Sequence, residues 1–331
     1  YIIKSGLNEK MTDEEKEEER YNQVYDILRN DVLPHVGDEF KNKSWYIGYM
    51  VNELLNCHIG RFPYHDRDHY ANKRIDLPGY KLAELFAQNF SKMIKDARTF
   101  IVREIIKTDH DKINDNLSKI FKSAQIESPI KFALSTGNWG LKQGAVNVAK
   151  QGVAQVLARL TPLNTISHIR RINTPIDATA KVTQPRKLHP SKWGMICPAE
   201  TPEGAKVGIV NNLALTCKIT IGSSPEVIID HILEYDNFEP IENLELVDIS
   251  VPHTKIFVNG NWIGNINKPN EIVNKLRKLR RQGLINIYTS ISWNINRRII
   301  SVSTEPGRCC RPLYIVKNNK LVITKEDINK L

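Results

Sequence analysis

The stretch WGMICPAETPEGAKVGIVNN (Trp193–Asn212) builds a rigid, doubly acidic loop into a lysine-rich chain. Pro198 and Pro202 fix backbone angles, while Gly204 and Gly208 permit tight turns or close approach by another segment. Glu200 and Glu203 stand three residues apart inside this frame. Two carboxylates held so stiffly suit an acid/base pair, a shared cation or a scaffold corner. An acid/base pair needs a pocket that drives the two pKa values apart, and the sequence displays none. Rigidity is the specific message here, and acidity is secondary.

On either side of this corner the texture differs, which predicts an α+β class. Thr12–Asn30 reads as a helix, with Thr12 and Glu15 at capping-box spacing and acids crowding the positive end of the dipole. Pro34 ends it. Ser44 is the expected cap of a second helix, whose Ile47, Met50, Val51, Leu54 and Leu55 recur at the period of a core-facing stripe. A longer helix is predicted from Tyr80 to about Lys107, with Leu82, Leu85, Phe86, Met93, Ile94, Phe100 and Ile101 on one face. From Trp139 to about Asn212 the chain is loop-rich and basic, with a helix expected around Val153–Leu160. Beyond Leu213 the residues alternate as strands do, and Asn259-Gly260 marks a hairpin. One helix, NEIVNKLRKLRRQG, interrupts the strands and is stopped by Gly283.

The length of 331 residues predicts two to four modules, and 41% hydrophobic with 25% charged residues is a globular balance. No stretch is long and apolar enough to cross a membrane. Because the first residue is Tyr1, the chain reads as an excised piece of something larger. The net charge of +10 favours a polyanionic partner. Five cysteines without CxxC spacing, Cys57, Cys197, Cys217, Cys309 and Cys310, read as reduced thiols.

Several segments carry chemistry-bearing side chains. HDRDHYANKR (His65–Arg74) sets His65 and His69 at the spacing of two ligands on one helical face, but no third ligand follows, so a structural use is favoured. Lys73 and Arg74 there suit a phosphate backbone. GVAQVLARLTPLNTISHIRRINTP (Gly152–Pro175) carries Gln155, Arg159, His168, Arg170, Arg171 and Asn173, a mixture suited to phosphate and sugar contacts or to a solvated basic loop. Lys181, Arg186 and Lys187 extend the basic character downstream. Ser167 adjoins His168, yet no GxSxG elbow exists and a hydrolase triad is discounted. KLRKLRRQ (Lys275–Gln282) reads as a solvated helix face. No GxxxxGK[ST] loop or dinucleotide fingerprint is present.

SKWGMICPAETPEGAKVGIVNNLAL resembles a signature segment of the second-largest subunit of multisubunit DNA-directed RNA polymerases. ALSTGNWG, GVAQVLAR, SHIRRINTP and RPLYIV resemble further family segments in family order, as do HDRDHYANKRIDLPG and FVNGNWIG. The character is eukaryotic or large-DNA-virus. The resemblance implies an end of the lobe at 1–74, a helical part of the protrusion at 75–138 and a fork with its loops at 139–217. It further implies a first external domain at 218–300 and the start of a second at 301–331. It places the fork beside the RNA–DNA hybrid and the opening point of downstream DNA, with Gln155, Arg159, Arg170, Arg171, Asn173, Lys181, Arg186, Lys187, Lys73 and Arg74 as candidate nucleic-acid contacts.

The same resemblance assigns no catalytic residue to this chain and makes Glu200 and Glu203 supports of the active centre. Magnesium would be held by aspartates of the largest subunit, with that subunit and other polymerase subunits as partners alongside the DNA template. The expected setting is the nucleus, or a virion or cytoplasmic viral factory for a viral source. Within Pro175–His189 the chain has Asp177 where relatives usually carry a glycine- and arginine-bearing tip, an acid in place of flexibility and positive charge. The rival reading is a stand-alone nucleic-acid-binding module descended from the polymerase. A third, an autonomous carboxylate-based hydrolase, rests on Glu200 and Glu203 alone.

Overall fold

A computed structural model describes residues 12–107, 121–139, 151–177, 179, 181–244 and 253–328. Its helices of eight residues or more are, in chain order, α1 (Asp13–Asp26), α2 (Phe40–His58), α3 (Pro78–Lys107), α4 (Ala124–Thr136), α5 (Pro162–Ile169), α6 (Glu226–Leu233) and α7 (Pro269–Arg281). Strands of three residues or more are β1 (Arg171–Asn173), β2 (Val210–Asn212), β3 (Phe238–Pro240), β4 (Thr254–Val258), β5 (Asn261–Ile266), β6 (Ser290–Asn294) and β7 (Ile299–Ser303). The class is α+β, as expected. Two structural units share the chain: Tyr1–Arg67 with Ile219–Arg308, and Asp68–Lys218 with Cys309–Leu331.

In the first unit α1 opens with the predicted reciprocal cap. Thr12 accepts from the Glu15 amide, and the Glu15 carboxylate accepts from the Thr12 amide. The helix runs into a wide turn over Ile27–Asp31, two of whose carbonyls, with that of the following Val32, point at one cation. The ammonium of Lys43, buried on α2, donates to the carbonyls of Leu28 at 2.9 Å and Val32 at 2.7 Å, and to that of Arg29. Lys43 thereby satisfies acceptors that the end of a helix leaves open.

The strands of this unit form one sheet in the order β3-β5-β4-β7-β6, antiparallel except for β4 beside β7. Asn259 and Gly260 both take positive φ, the geometry of a tight two-residue hairpin between β4 and β5. Alternation buries both faces. Ile256 and Val258 of β4, with Ile300 and Val302 of β7, pack under Ile228 and Ile232 of α6 and Ile272, Val273 and Leu276 of α7. Phe257 and Trp262 turn to the opposite face and meet Trp45, Tyr46 and Tyr49 of α2. Gly264 is required in β5, since a Cβ there would stand 2.6 Å from the Phe238 ring.

Two expectations for α2 are corrected. Ser44 lies inside the helix, which starts at Phe40, and its hydroxyl donates to the Lys41 carbonyl at 2.7 Å. The stripe Ile47, Met50, Val51, Leu54 and Leu55 is exposed. The aromatic face wins because three large rings bury more area than branched aliphatics and find complementary rings on the sheet.

In the second unit α3 begins at Pro78, close to the predicted Tyr80. Its buried line is Leu85, Asn89 and Ala97, whereas Leu82, Phe86, Ile94 and Phe100 of the expected stripe are exposed. Asn89 is accommodated because its amide donates to the Leu85 carbonyl at 2.8 Å. Leu85, Ala133 of α4 and Trp139 make a small core, where the Trp139 indole donates to the Lys81 carbonyl. Residues 153–160 are not helical, contrary to expectation. His168 of α5 takes the Ala158 amide, which a helix would have paired with the Ala154 carbonyl. Thr165 takes the Ala158 carbonyl, whose helical partner would be Pro162 with no N–H.

Candidate nucleic-acid interface

Helix α5 organises the site. Thr161 caps it by accepting from the Asn164 amide at 3.1 Å, and Pro162 sits at its first position, where a missing N–H costs nothing. Two neighbouring residues near its end face different loops. Ser167 donates to the Glu200 carboxylate, while His168 meets the loop that precedes the helix. The Ala158 amide donates to His168 Nδ1 at 3.0 Å, and His168 Nε2 lies 3.1 Å from Gln155 Oε1. The Thr165 hydroxyl donates to the Ala158 carbonyl at 2.8 Å.

After the helix, β1 pairs antiparallel with β2, matching Arg171 with Asn212 and Asn173 with Val210. The strand period puts Arg171 and Asn173 on one face, and both are exposed. Arg170 is turned inward. Its guanidinium donates to the Ala214 carbonyl at 2.6 Å and to that of Leu215 at 3.4 Å.

The acidic corner is as stiff as its prolines and glycines imply. Thr201 Oγ1 donates to the Val210 carbonyl at 3.0 Å and accepts from the Gly208 amide at the same distance. Asn212 donates to the Glu200 carbonyl, and the Cys197 amide to the Asn212 carbonyl. Gly208 has φ of 71°, and a Cβ there would stand 2.7 Å from Arg186 Cα. Arg186 reinforces that approach by donating to the carbonyls of Ala205 at 2.7 Å and Val207 at 3.0 Å. Glu200 and Glu203 are both exposed, the first engaged by Ser167, the second at the head of a short turn over Gly204–Lys206.

The ten basic and polar candidates therefore divide. Gln155, Arg159, Arg171 and Asn173 flank α5 with exposed side chains, Gln155 also donating to the Gly152 carbonyl. Arg170 and Arg186 spend their guanidinium groups on backbone carbonyls. Lys181 and Lys187 are exposed beyond β1, and the Lys187 carbonyl accepts from buried Lys192 at 2.9 Å. Lys73 pairs with Asp68 at 3.9 Å, and Arg74 donates to the carbonyls of Ala71 and Lys73. Asp177, exposed in the atypical loop, has its carboxyl held below the usual carboxylate range by the Thr179 amide.

His65 and His69 do not share a helical face. His69 accepts from the Ala71 amide at 3.1 Å and packs edge-on against His189, whereas His65 is drawn to Arg297. Among the described residues no group of three or more His, Cys, Asp or Glu gathers as a metal site. The sequence reading missed Thr165, Ser167, His168 and Thr201 as the residues that set the loops. Their one visible signal is the adjacency of Ser167 and His168, which does not reveal the distant groups that each takes.

Three successive stretches match family descriptions: residues 2–76 match RNA polymerase Rpb2, domain 2; residues 155–219 match domain 3; and residues 256–317 match domain 4. The chain belongs to the RNA polymerase Rpb2 family, the second-largest subunits. Over its whole length it is 43% identical to DNA-directed RNA polymerase II subunit 2 of Arabidopsis thaliana. It is 32% identical over 92% of its length to the Drosophila melanogaster RNA polymerase III subunit RPC2. It is likewise 32% identical over 96% of its length to subunit Rpo2 of Saccharolobus solfataricus. The chain spans 27% of the first two relatives and 28% of the third. The candidate site lies within the part matched to Rpb2 domain 3, apart from Lys73 and Arg74.

Proposed function

We propose that this segment acts within a DNA-dependent RNA polymerase, lining the path of the RNA–DNA hybrid and downstream DNA and bracing the active centre. The observation that carries this reading is the exposed pair Arg171 and Asn173 on β1, beside the anchored loop bearing Gln155 and Arg159. A guanidinium and short polar groups on a fixed backbone suit contacts to phosphate and sugar, which position a nucleic acid without reading its sequence. Glu200 serves by holding Ser167, and through it α5, rather than by moving protons.

We assign the lobe, protrusion, fork and external domains as the resemblance implies, supported by the order of the three matched stretches. Nucleotide addition would be the work of the assembled enzyme with its largest subunit and other partners. Its magnesium would be held by that largest subunit, and no step through the metal is assigned to residues of this chain. The setting we favour is the nucleus, since relatives of greater identity are RNA polymerase II subunits. A viral factory is the alternative.

The test is purification of the native assembly through a tag on this chain, followed by primer extension. We expect a largest subunit to co-purify and the assembly to extend an RNA primer with magnesium, while the 331-residue chain alone does not. Recovery of the chain without polymerase partners, bound only to nucleic acid, would instead support the stand-alone module.

A further inference from the structure

We infer that His168, as the neutral Nε2–H tautomer, is a positioning residue that sets the Gln155–Arg159 loop against α5. The second half of this inference, that the loop so placed meets nucleic acid, rests on the reading proposed above.

The tautomer follows from the partners. A backbone amide can only donate, so the bond from Ala158 N–H requires a lone pair on His168 Nδ1. The ring proton then sits on Nε2 and is donated to Gln155 Oε1, 3.1 Å away. This fixes the Gln155 amide in turn, leaving its NH₂ to donate to the Gly152 carbonyl at 3.1 Å. A protonated imidazole would offer two donors and no acceptor, and the Ala158 bond would be lost.

Ala158 is held at both polar atoms of its backbone, by His168 at the amide and by Thr165 at the carbonyl. Arg159 is the next residue, so its Cα is placed by two partly buried side chains three residues apart on α5. At its other end the loop is tied to the end of α4, where the Val153 amide donates to the Gly137 carbonyl at 3.1 Å. Gly137 has φ of 73°, and a Cβ there would stand 2.6 Å from the Ala154 carbonyl oxygen. The loop is therefore pinned at Gly137, Gln155 and Ala158, and only the last two pins pass through His168.

The two ring nitrogens have different substitutes. An asparagine amide places an oxygen near the position of Nδ1 and can accept from Ala158, whereas a glutamine amide reaches the position of Nε2 and can donate to Gln155. The experiment compares His168→Ala, His168→Asn and His168→Gln in the assembled polymerase. It reads amide exchange of the 155–160 segment by mass spectrometry, and complex lifetime and saturating nucleotide-addition rate on a preformed RNA–DNA scaffold. For His168→Ala we expect exchange in this segment to rise about tenfold, as for one net hydrogen bond. Lifetime should shorten by a similar factor, with the saturating addition rate unchanged. His168→Asn should restore exchange protection and lifetime, and His168→Gln should not restore protection.

Wild-type exchange in all three variants, or protection restored by Gln and not by Asn, would overturn the inference. The expected exchange pattern with an unchanged scaffold lifetime would uphold His168 as the anchor and remove nucleic-acid contact from Gln155 and Arg159. Loss of lifetime equally in all three variants, with the expected exchange pattern, would overturn positioning through Nδ1 as the functional route while leaving the nucleic-acid reading of the loop intact.

Discussion

Arg297 and Glu53 meet at 2.9 Å although 244 positions separate them, and their side chains are only 12% and 18% exposed. The guanidinium also donates to the Pro63 carbonyl at 2.9 Å, contacts His65 and lies over the Phe62 ring. The β6–β7 turn is thereby tied to α2 and to the segment that follows it. Removing either partner strands a largely desolvated charge, so Arg297→Ala and Glu53→Ala should each destabilise the first unit by about 3 kcal/mol. The double replacement should cost well under the sum. Amide exchange of β4 and β5 measures the unit by itself, and strict additivity would show that the pair is not coupled.

Gly208 and Gly204 provide a matched contrast, since both have φ near 70°. A methyl group at Gly204 meets nothing within 4 Å, so Gly204→Ala should cost about 1–2 kcal/mol of conformational strain. At Gly208 the same methyl group collides with the Arg186 backbone, so Gly208→Ala should cost at least about 2 kcal/mol more. Equal losses in melting experiments would show that the close approach relaxes freely.

Tyr70 gives a pH dependence. Burial, followed by the neighbouring Cys309 and Cys217 thiols, pushes its phenol from 10.0 up to about 12. Between these values the unfolded chain has lost the proton that the folded chain keeps, so stability falls as pH rises. The contribution is full below pH 10, declines from there, and is gone above about 12. Tyr46, Tyr49 and Tyr235 are raised as well, so phenolate absorbance should show several late-titrating tyrosines, of which Tyr70→Phe removes one. An unchanged titration in that variant would contradict the assignment.

Arg170 and Arg171 are neighbours with opposite expected behaviour. In the assembled polymerase Arg171→Ala should flatten the logarithmic salt dependence of scaffold binding by about 0.7–0.9, the value of one phosphate contact. Arg170→Ala should leave that slope unchanged and raise amide exchange around Leu213–Leu215, whose carbonyls it holds in part. Equal changes in slope would make Arg170 a phosphate contact as well.

Glu200→Gln keeps shape and removes charge. With the carboxylate acting as an acceptor for Ser167, single-nucleotide addition should change severalfold at most. A general acid or base at this position would lose on the order of 10²–10⁴-fold. A loss of that size in a correctly assembled enzyme would return proton transfer to the loop.

Features written in local chemistry were legible from the sequence. Thr12 with Glu15, Asn259 with Gly260, and Gly283 after α7 each act on backbone within a few residues, and each sits where its pattern placed it. Choices among faces were not. On α2 both the aliphatic stripe and the aromatic set Trp45, Tyr46 and Tyr49 recur at helical period, and only the distant Phe257 and Trp262 decide which is buried. The same holds for the site. Residue types in Gly152–Pro175 suit contacts with a polyanion or a solvated basic loop, but nothing local separates Arg171, which faces outward, from Arg170, which is claimed by carbonyls 44 and 45 positions away. The expected helix at 153–160 failed for a related reason, since its apolar spacing says nothing of the hydroxyl and imidazole waiting on α5.

Lys43 has a consequence for chemical footprinting. Its ammonium is enclosed by three carbonyls and withdrawn from solvent, whereas Lys41, two residues earlier, reaches the surface while donating to the Glu242 carbonyl. An amine-reactive reagent has to open the Ile27–Asp31 turn before it can acylate Lys43, so the ratio of label on Lys43 to label on Lys41 reports opening of that turn, with an internal standard supplied by the same helix.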